Sequence, residues 1–370
     1  MVGSVQSPAR SEFEAFHSAR YFRAVDGLRA ISVLLVVFNH VRGHDTWRWI
    51  SGSTNGVTIF FVISGFLITT LCLREERSSG SVDVRGFLVR RGFRILPLYL
   101  LVLAVYWLLT TGLDVDPERS AAFHEHALWY LTPFPEVPHF SSDPGVPFEV
   151  AWSLGLEEKF YLVWPILGFV VLRARDRARA TVVVALIVGA LIAPLLLGTL
   201  GVVIYEYAHI LAGCLVALAL DDRRTFAFLR PLGRPRVVVA VLVVLIVLHA
   251  LRALIPNPLN FAFSLATAAA LVGLLLHPGS AAGRLLQTRP MVVIGRLSYA
   301  LYLTHQLGLN VAERIVPESL GTTGDALTVP VALVLILPAC WVLHRMVEAP
   351  LIDIGRRLTR GPAALRAPAA

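Results

Sequence analysis

Residues 181–220 read TVVVALIVGALIAPLLLGTL (181–200) followed by GVVIYEYAHILAGCLVALAL (201–220). Two apolar runs stand here, 181–199 and 202–220. Each matches the roughly 17–22 residues that a ~30 Å hydrocarbon core requires of a helix. Working outward, runs of the same kind recur at 24–43, 55–73, 95–112, 151–172, 237–254, 259–277, 291–311 and 327–345. Lipid offers no hydrogen-bond partner to an open strand, so every run is expected to be helical. The fold class is therefore all-α, a polytopic membrane bundle of about ten transmembrane helices.

Composition agrees. Of 370 residues, 56% are hydrophobic and 16% charged, with a mean hydropathy of +0.68. Soluble domains sit nearer 45–50% apolar and about 25% charged. A disordered chain, a coiled coil and a soluble globule are excluded. The net charge of +8 would suggest nucleic acid in a soluble protein. Here the basic residues lie between apolar spans, as membrane topology demands, so no nucleic-acid partner is expected. Lys159 is the sole lysine; the other basic residues are arginines. Cys72, Cys214 and Cys340 lie in or beside apolar runs without metal-ligand spacing and read as small core residues.

Arginine counts set the orientation. With the N-terminus inside, the inner connections hold arginines in clusters, including 74–94 and 221–236, whereas the outer ones hold Arg42, Arg48, Arg119, Arg252 and Arg314. The bias alternates at every crossing, which predicts that both termini are cytoplasmic. Residues 1–23 lack the apolar run of a secretory leader and read as a cytoplasmic segment. Residues 24–346 form the transmembrane domain, with an acidic outside loop at 113–150, and 347–370 form a cytoplasmic tail. The expected location is the plasma or inner membrane.

Ionisable residues inside spans are expensive and signal function. The first span, AVDGLRAISVLLVVFNHVRGH (24–44), holds Asp26, Arg29 and His40. Eleven residues at 100° turn about 1100°, some 20° past three turns, so Arg29 and His40 share a face about 16 Å apart along the axis. A cation at one surface and an imidazole deep inside suit a long ligand with an anionic head. The plainer alternative is an interface arginine with a histidine capping the outer end.

In GFLVRRGFRILPLYL (86–100), Arg91 and Arg94 are three apart and face the same side, while Arg90 points elsewhere. Two guanidiniums at the inner surface suit phosphate; topology signal or lipid headgroups are the alternatives. The fourth span opens VAWSLGLEEKFYLVWP (150–165), placing Glu157 and Glu158 inside the membrane beside Lys159, a candidate counter-ion. Either carboxylate suits the orientation of an imidazole; a structural ion pair is the alternative. Ser64-Gly65 sits mid-span, where small residues permit close packing. No nucleophile elbow surrounds Ser64. In IGRLSYALYLTHQ (294–306), Tyr302 and His305 share a face, as an acceptor-side pair or as core hydrogen-bonding groups. His124, His126 and His139 read as solvated loop residues, and no metal site is expected.

Together these segments resemble the acyltransferase-3 family of integral membrane O-acyltransferases. VDGLRAISVLLVVFNH with its Arg-x10-His spacing, NGVTIFFVISGFLIT, RRGFRILPLY, WSLGLEEKFYLVWP, IGRLSYALYLTH and MVEAPLI occur in the family's order over 22–354. The resemblance implies a ten-helix core that takes an acyl group, often acetyl, from cytoplasmic acyl-CoA as co-substrate, with no permanently bound cofactor. It implies His40 as the catalytic residue, Arg29 as its motif partner, and Arg91 and Arg94 as the Arg-x-x-Arg element. On this view Glu157 or Glu158 assists His40, and Ser64, Tyr302 and His305 are acceptor-side candidates. His40 acts as general base or forms an acyl intermediate. The acceptor is a hydroxyl of a cell-envelope carbohydrate or glycolipid, or else of a macrolide or other secondary metabolite. Lys159, Thr304 and Ala349 depart from the family pattern, the first two where the acceptor is expected. The extracytoplasmic esterase-like domain that some members append has no counterpart here, so transfer is expected to finish within the membrane core. A proton- or anion-coupled transporter is the reading from another class, against which no inverted repeat is visible.

Overall fold

The two apolar runs at 181–199 and 202–220 form one hydrogen-bonded helical stretch, Asp176–Asp221, interrupted at Gly198 (φ 55°, ψ −131°). This left-handed backbone is open to glycine at little cost. The chain reverses there: a Cβ on Gly201 would overlap the carbonyl oxygen of Ala193, although eight residues span about 12 Å in a straight helix. The expected pair of spans is therefore a helical hairpin hinged at Gly198.

The computed structural model describes residues 8–19, 21–41, 54–112, 117–140, 147–252 and 259–359, which are helical, turn or loop with no strand. Arg42, His44 and Arg48, the loop positions Asp114, Asp116 and Asp143, and the end of the expected tail lie outside the described residues. In chain order the helices are α1 (Pro8–Ser18), α2 (Arg23–Asn39), α3 (Asn55–Ser79), α4 (Val84–Gly112), α5 (Pro117–His126), α6 (Ala151–Pro165), α7 (Asp176–Asp221), α8 (Arg223–Leu229), α9 (Pro235–Arg252), α10 (Leu259–Leu276), α11 (Ala281–Leu286), α12 (Arg289–Arg296), α13 (Ser298–Ile315), α14 (Thr322–Leu343) and α15 (Ala349–Leu358). Wide π turns follow α6 at Ile166–Val171 and α14 at His344–Glu348.

The protein is an all-α polytopic membrane bundle. Among the described residues, five helices are long and apolar enough to cross a membrane: Asn55–Ser79, Val84–Gly112, Asp176–Asp221, Pro235–Arg252 and Thr323–Leu358. Other expected spans take a different form. The first stops at Asn39 instead of running to 43. The fourth is a 15-residue helix prolonged by π turns. The ninth is divided at Leu297 into α12 and α13. Residues 349–358, expected as tail, are helical, and Gly355 packs on the Phe93 ring of α4.

The chain divides into two units: residues 1–74, 174–298 and 309–330, and residues 75–173, 299–308 and 331–370. In the first, α3 and the second half of α7 touch backbone to backbone. A Cβ on Gly65 would overlap the Ile210 carbonyl oxygen, and one on Gly213 the Val62 carbonyl oxygen. The small-residue reading of Ser64-Gly65 holds, because only such residues let two backbones approach this closely. Gly213→Leu is expected to lower stability by more than the ~1–3 kcal/mol typical of overpacking, since backbone atoms cannot step aside as side chains do; thermal melting in detergent reads this directly. Residues 8–18, read as part of a polar segment, form α1. Its Phe13 and Phe16 rings pack against Phe226 of α8, and Glu12 forks onto Arg230 at 2.8 and 3.0 Å. Asp222 caps α8 by accepting from Thr225 and Arg224 N–H. These bonds, that from Thr225 foremost, hold its carboxyl below the usual range.

Candidate functional site

α2 belongs to the first unit and is seated by glycines. A Cβ on Gly27 would overlap the Leu286 carbonyl oxygen of α11, and one on Gly295 of α12 would overlap the Asp26 carbonyl oxygen. The Asp26 carboxylate accepts from Tyr21 Oη and lies 3.9 Å from the Arg296 guanidinium. Asp26 and Arg296, noted separately in the sequence, therefore anchor the start of α2. Arg29 is half-buried further along this helix.

His40 is the C-cap of α2 (φ −108°, ψ 5°), its backbone N–H bonded to Val37 O. The expected continuation of the helix past the imidazole is corrected: the side chain stands at the helix end, where the backbone leaves the α conformation. Nδ1 lies 2.8 Å from the Val36 carbonyl oxygen. A carbonyl only accepts, so Nδ1 carries the proton and a neutral ring keeps its lone pair on Nε2. The tautomer follows from this partner. Ser64 is half-buried on α3, beside the glycine that seats α7.

The second unit holds Arg91, Arg94, Glu157, Glu158, Tyr302 and His305. The Arg91 guanidinium lies over the rings of Phe87 (5.5 Å) and Tyr161 (5.3 Å). Tyr161 Oη donates to Glu157 at 2.7 Å. Arg91, Tyr161 and Glu157 thus form one chain of contacts. Arg90 turns away towards Glu75, 3.6 Å distant, as the three-residue spacing predicts. Arg94 is half-buried. Tyr302 Oη pairs with Ser153 Oγ at 2.7 Å and donates to Val150 O at 3.2 Å. His305 is 1% exposed and gives Nδ1–H to Tyr302 O at 2.7 Å, a hydrogen-bonded core histidine.

One expectation is extended and two are corrected. Lys159 pairs with Glu136 (2.7 Å) and the Pro133 carbonyl (2.8 Å), not only with the adjacent glutamates, because successive helical side chains diverge by about 100°. His139 is no free loop residue: it meets Glu149 at 2.8 Å and stacks on Trp152 at 4.7 Å. His126 is buried. Both rings pack on their own unit, His126 buried and His139 half-buried.

Sequence reasoning gave no role to Tyr299 or Glu348. Tyr299 Oη donates to Ile95 O at 2.7 Å and stands within electrostatic reach of Glu348, Glu158 and Glu157. Glu348 is 5% exposed, in the π turn after α14, with His344 Nδ1 at 2.7 Å. The signal was present, since MVEAPLI places an acid at the end of an apolar run, but nothing in the spacing says that the turn widens there.

A family model described as "Acyltransferase domain" matches residues 22–345. The chain is 30% identical over 312 residues to "Putative peptidoglycan O-acetyltransferase YrhL" of Bacillus subtilis, covering 77% of this chain and 48% of that protein. It is 28% identical over 323 residues to "O-acetyltransferase OatA" of Staphylococcus aureus, covering 79% of this chain and 51% of that protein. The chain thus spans about half the length of these curated relatives. No solved structure matches.

Proposed function

The chain belongs to the acyltransferase-domain family, and from that premise we propose that it moves an acyl group, acetyl in the first instance, from cytoplasmic acyl-CoA to a hydroxyl of a cell-envelope carbohydrate or glycolipid. The relatives named for O-acetyl transfer, one of them to peptidoglycan, support this acceptor class. The observation that carries the reading is the bond from His40 Nδ1 to the Val36 carbonyl, which presents Nε2 as a base.

In the proposed reaction, Nε2 takes the proton of the acceptor hydroxyl as its oxygen attacks the thioester carbonyl carbon. The tetrahedral intermediate collapses, the carbon–sulfur bond breaks, and the thiolate leaves with the proton returned by the imidazolium. Such general-base help contributes about 10²–10⁴-fold. The Val36 carbonyl does for the ring what a carboxylate does in hydrolase triads: it fixes tautomer and orientation. Arg91 and Arg94 hold the phosphates of CoA, with Arg29 as a further cation on the helix of His40. Glu157 and Glu158 are the acidic groups of the proposed machinery.

The test is CoA release by the purified full chain in detergent, followed with a thiol reagent while an acceptor sugar is present. Release matched by ester on the sugar is expected. A protein that binds acetyl-CoA but never turns over the thioester contradicts the proposal and favours transport.

A further inference from the structure

Four apolar helices of the first unit bring polar side chains together at one end. From α9, Arg252 donates to Asn55 Oδ1 of α3 at 2.6 Å and to Thr54 Oγ1 at 2.9 Å. The Asn55 amide N–H₂ donates to Nδ1 of His249 at 2.8 Å, so His249 keeps its proton on Nε2. From α7, Glu206 lies 3.7 Å from His209 Nε2, and His209 Nδ1 meets Ser264 Oγ of α10 at 2.6 Å. Arg252 stands within electrostatic reach of Glu206. Asn260, one turn from Ser264 on α10, is 6% exposed, and its Oδ1 has no hydrogen-bond partner among the described residues.

These groups differ in burial. His209, Ser264 and Asn260 are buried, at 1%, 0% and 6% exposure. Glu206, Tyr205, His249 and Arg252 are half-buried. Such a density of polar groups in apolar helices is costly without a task, and a buried carbonyl oxygen without a donor marks an unfilled demand.

The cluster also stands beside His40. Asn55 precedes Gly56, whose carbonyl accepts from Ser32 Oγ at 2.5 Å and whose Cβ, if present, would come within 2.8 Å of Val36 Cγ2. Val36 is the residue whose carbonyl takes the imidazole proton. Asn55 of the cluster is thus joined through adjacent residues to the base.

We propose that this polar cluster on α3, α7, α9 and α10 is the acceptor subsite, and that it takes an uncharged polyhydroxylated sugar. The assignment rests on the reading of His40 as the base. The chemistry selects the class. Sugar hydroxyls both donate and accept: Glu206 and Asn260 Oδ1 present acceptors, and Arg252 presents donors. A phosphate would meet the Glu206 carboxylate, and an acyl tail would leave every group here unsatisfied. By the arginine pattern this end of the unit faces outward, the side on which envelope glycans lie.

The test uses the full chain in detergent with an N-acetylglucosamine oligosaccharide as acceptor probe and acetyl-CoA as donor. Sugar binding is measured by calorimetry in the His40→Ala protein, and the KM for acetyl-CoA in otherwise wild-type enzyme. Glu206→Gln and Arg252→Lys are each expected to weaken sugar binding about tenfold or more, as loss of a charged hydrogen-bond partner does. The acetyl-CoA KM and the melting temperature should hardly move. Unchanged sugar binding in both variants overturns the subsite. So does a parent protein that binds no sugar, or a joint loss of sugar binding, donor affinity and melting temperature, which marks a purely structural network. Persisting turnover in His40→Ala would instead overturn the base assignment, while the calorimetry still judges the cluster as a sugar site.

Discussion

Replacing His40 with alanine is expected to lower acyl transfer by about 10²–10⁴-fold, the range in which a positioned base contributes, with membrane insertion and melting temperature preserved. The structure makes this specific. His40 caps α2 instead of packing in its middle, so removing the ring leaves the helix ladder whole. His40→Gln separates the base from its shape: glutamine retains a hydrogen-bonding side chain but offers no nitrogen lone pair. Both variants should fall together. A glutamine enzyme with near-normal turnover would reduce His40 to a binding group, and alanine activity equal to wild type would remove it from the reaction.

The second large effect is expected at Arg91 and Arg94. Changing both to alanine should raise the KM for acetyl-CoA by roughly 10–100-fold, since each charged hydrogen bond contributes about 1.5–3 kcal/mol and some compensation by neighbours is normal. Arg91 also rests on the Phe87 and Tyr161 rings, so alanine removes packing as well as charge. The lysine pair isolates the difference: it keeps the charge but loses the planar fork. Ionic contact also predicts a salt signature. In wild type the KM should climb with ionic strength, whereas the alanine pair, already without the contact, should respond little. An acetyl-CoA KM unaltered in the alanine pair would place the phosphate contacts elsewhere.

Apolar runs of span length were readable because hydropathy is a property of contiguous sequence. The boundary between 181–199 and 202–220 coincides closely with the reversal at Gly198. The close approach at Gly65 was legible from residue size alone. Helix-local geometry was legible too: Arg90 diverges from Arg91 as spacing requires. What escaped was set by distant parts of the chain or by breaks in regular helix. Lys159 finds Glu136 across 23 residues, and Asn55 finds His249 across 194; neither follows from periodicity. The early end of α2, which places Nδ1 of His40 on its own helix carbonyl, does not follow from periodicity either. Glu206 and His209 passed unnoticed because a strongly apolar window hides a few polar residues until a neighbouring helix supplies their partners.

The central claim is that the thioester end of acyl-CoA is delivered to His40. The most direct measurement is photo-crosslinking with a CoA thioester carrying a diazirine at its acyl end, followed by peptide mass spectrometry on the full chain. The account predicts label at the C-terminal end of α2, among residues 36–41, competed away by acetyl-CoA. Competable label confined to other helices, with none on that segment, would contradict it.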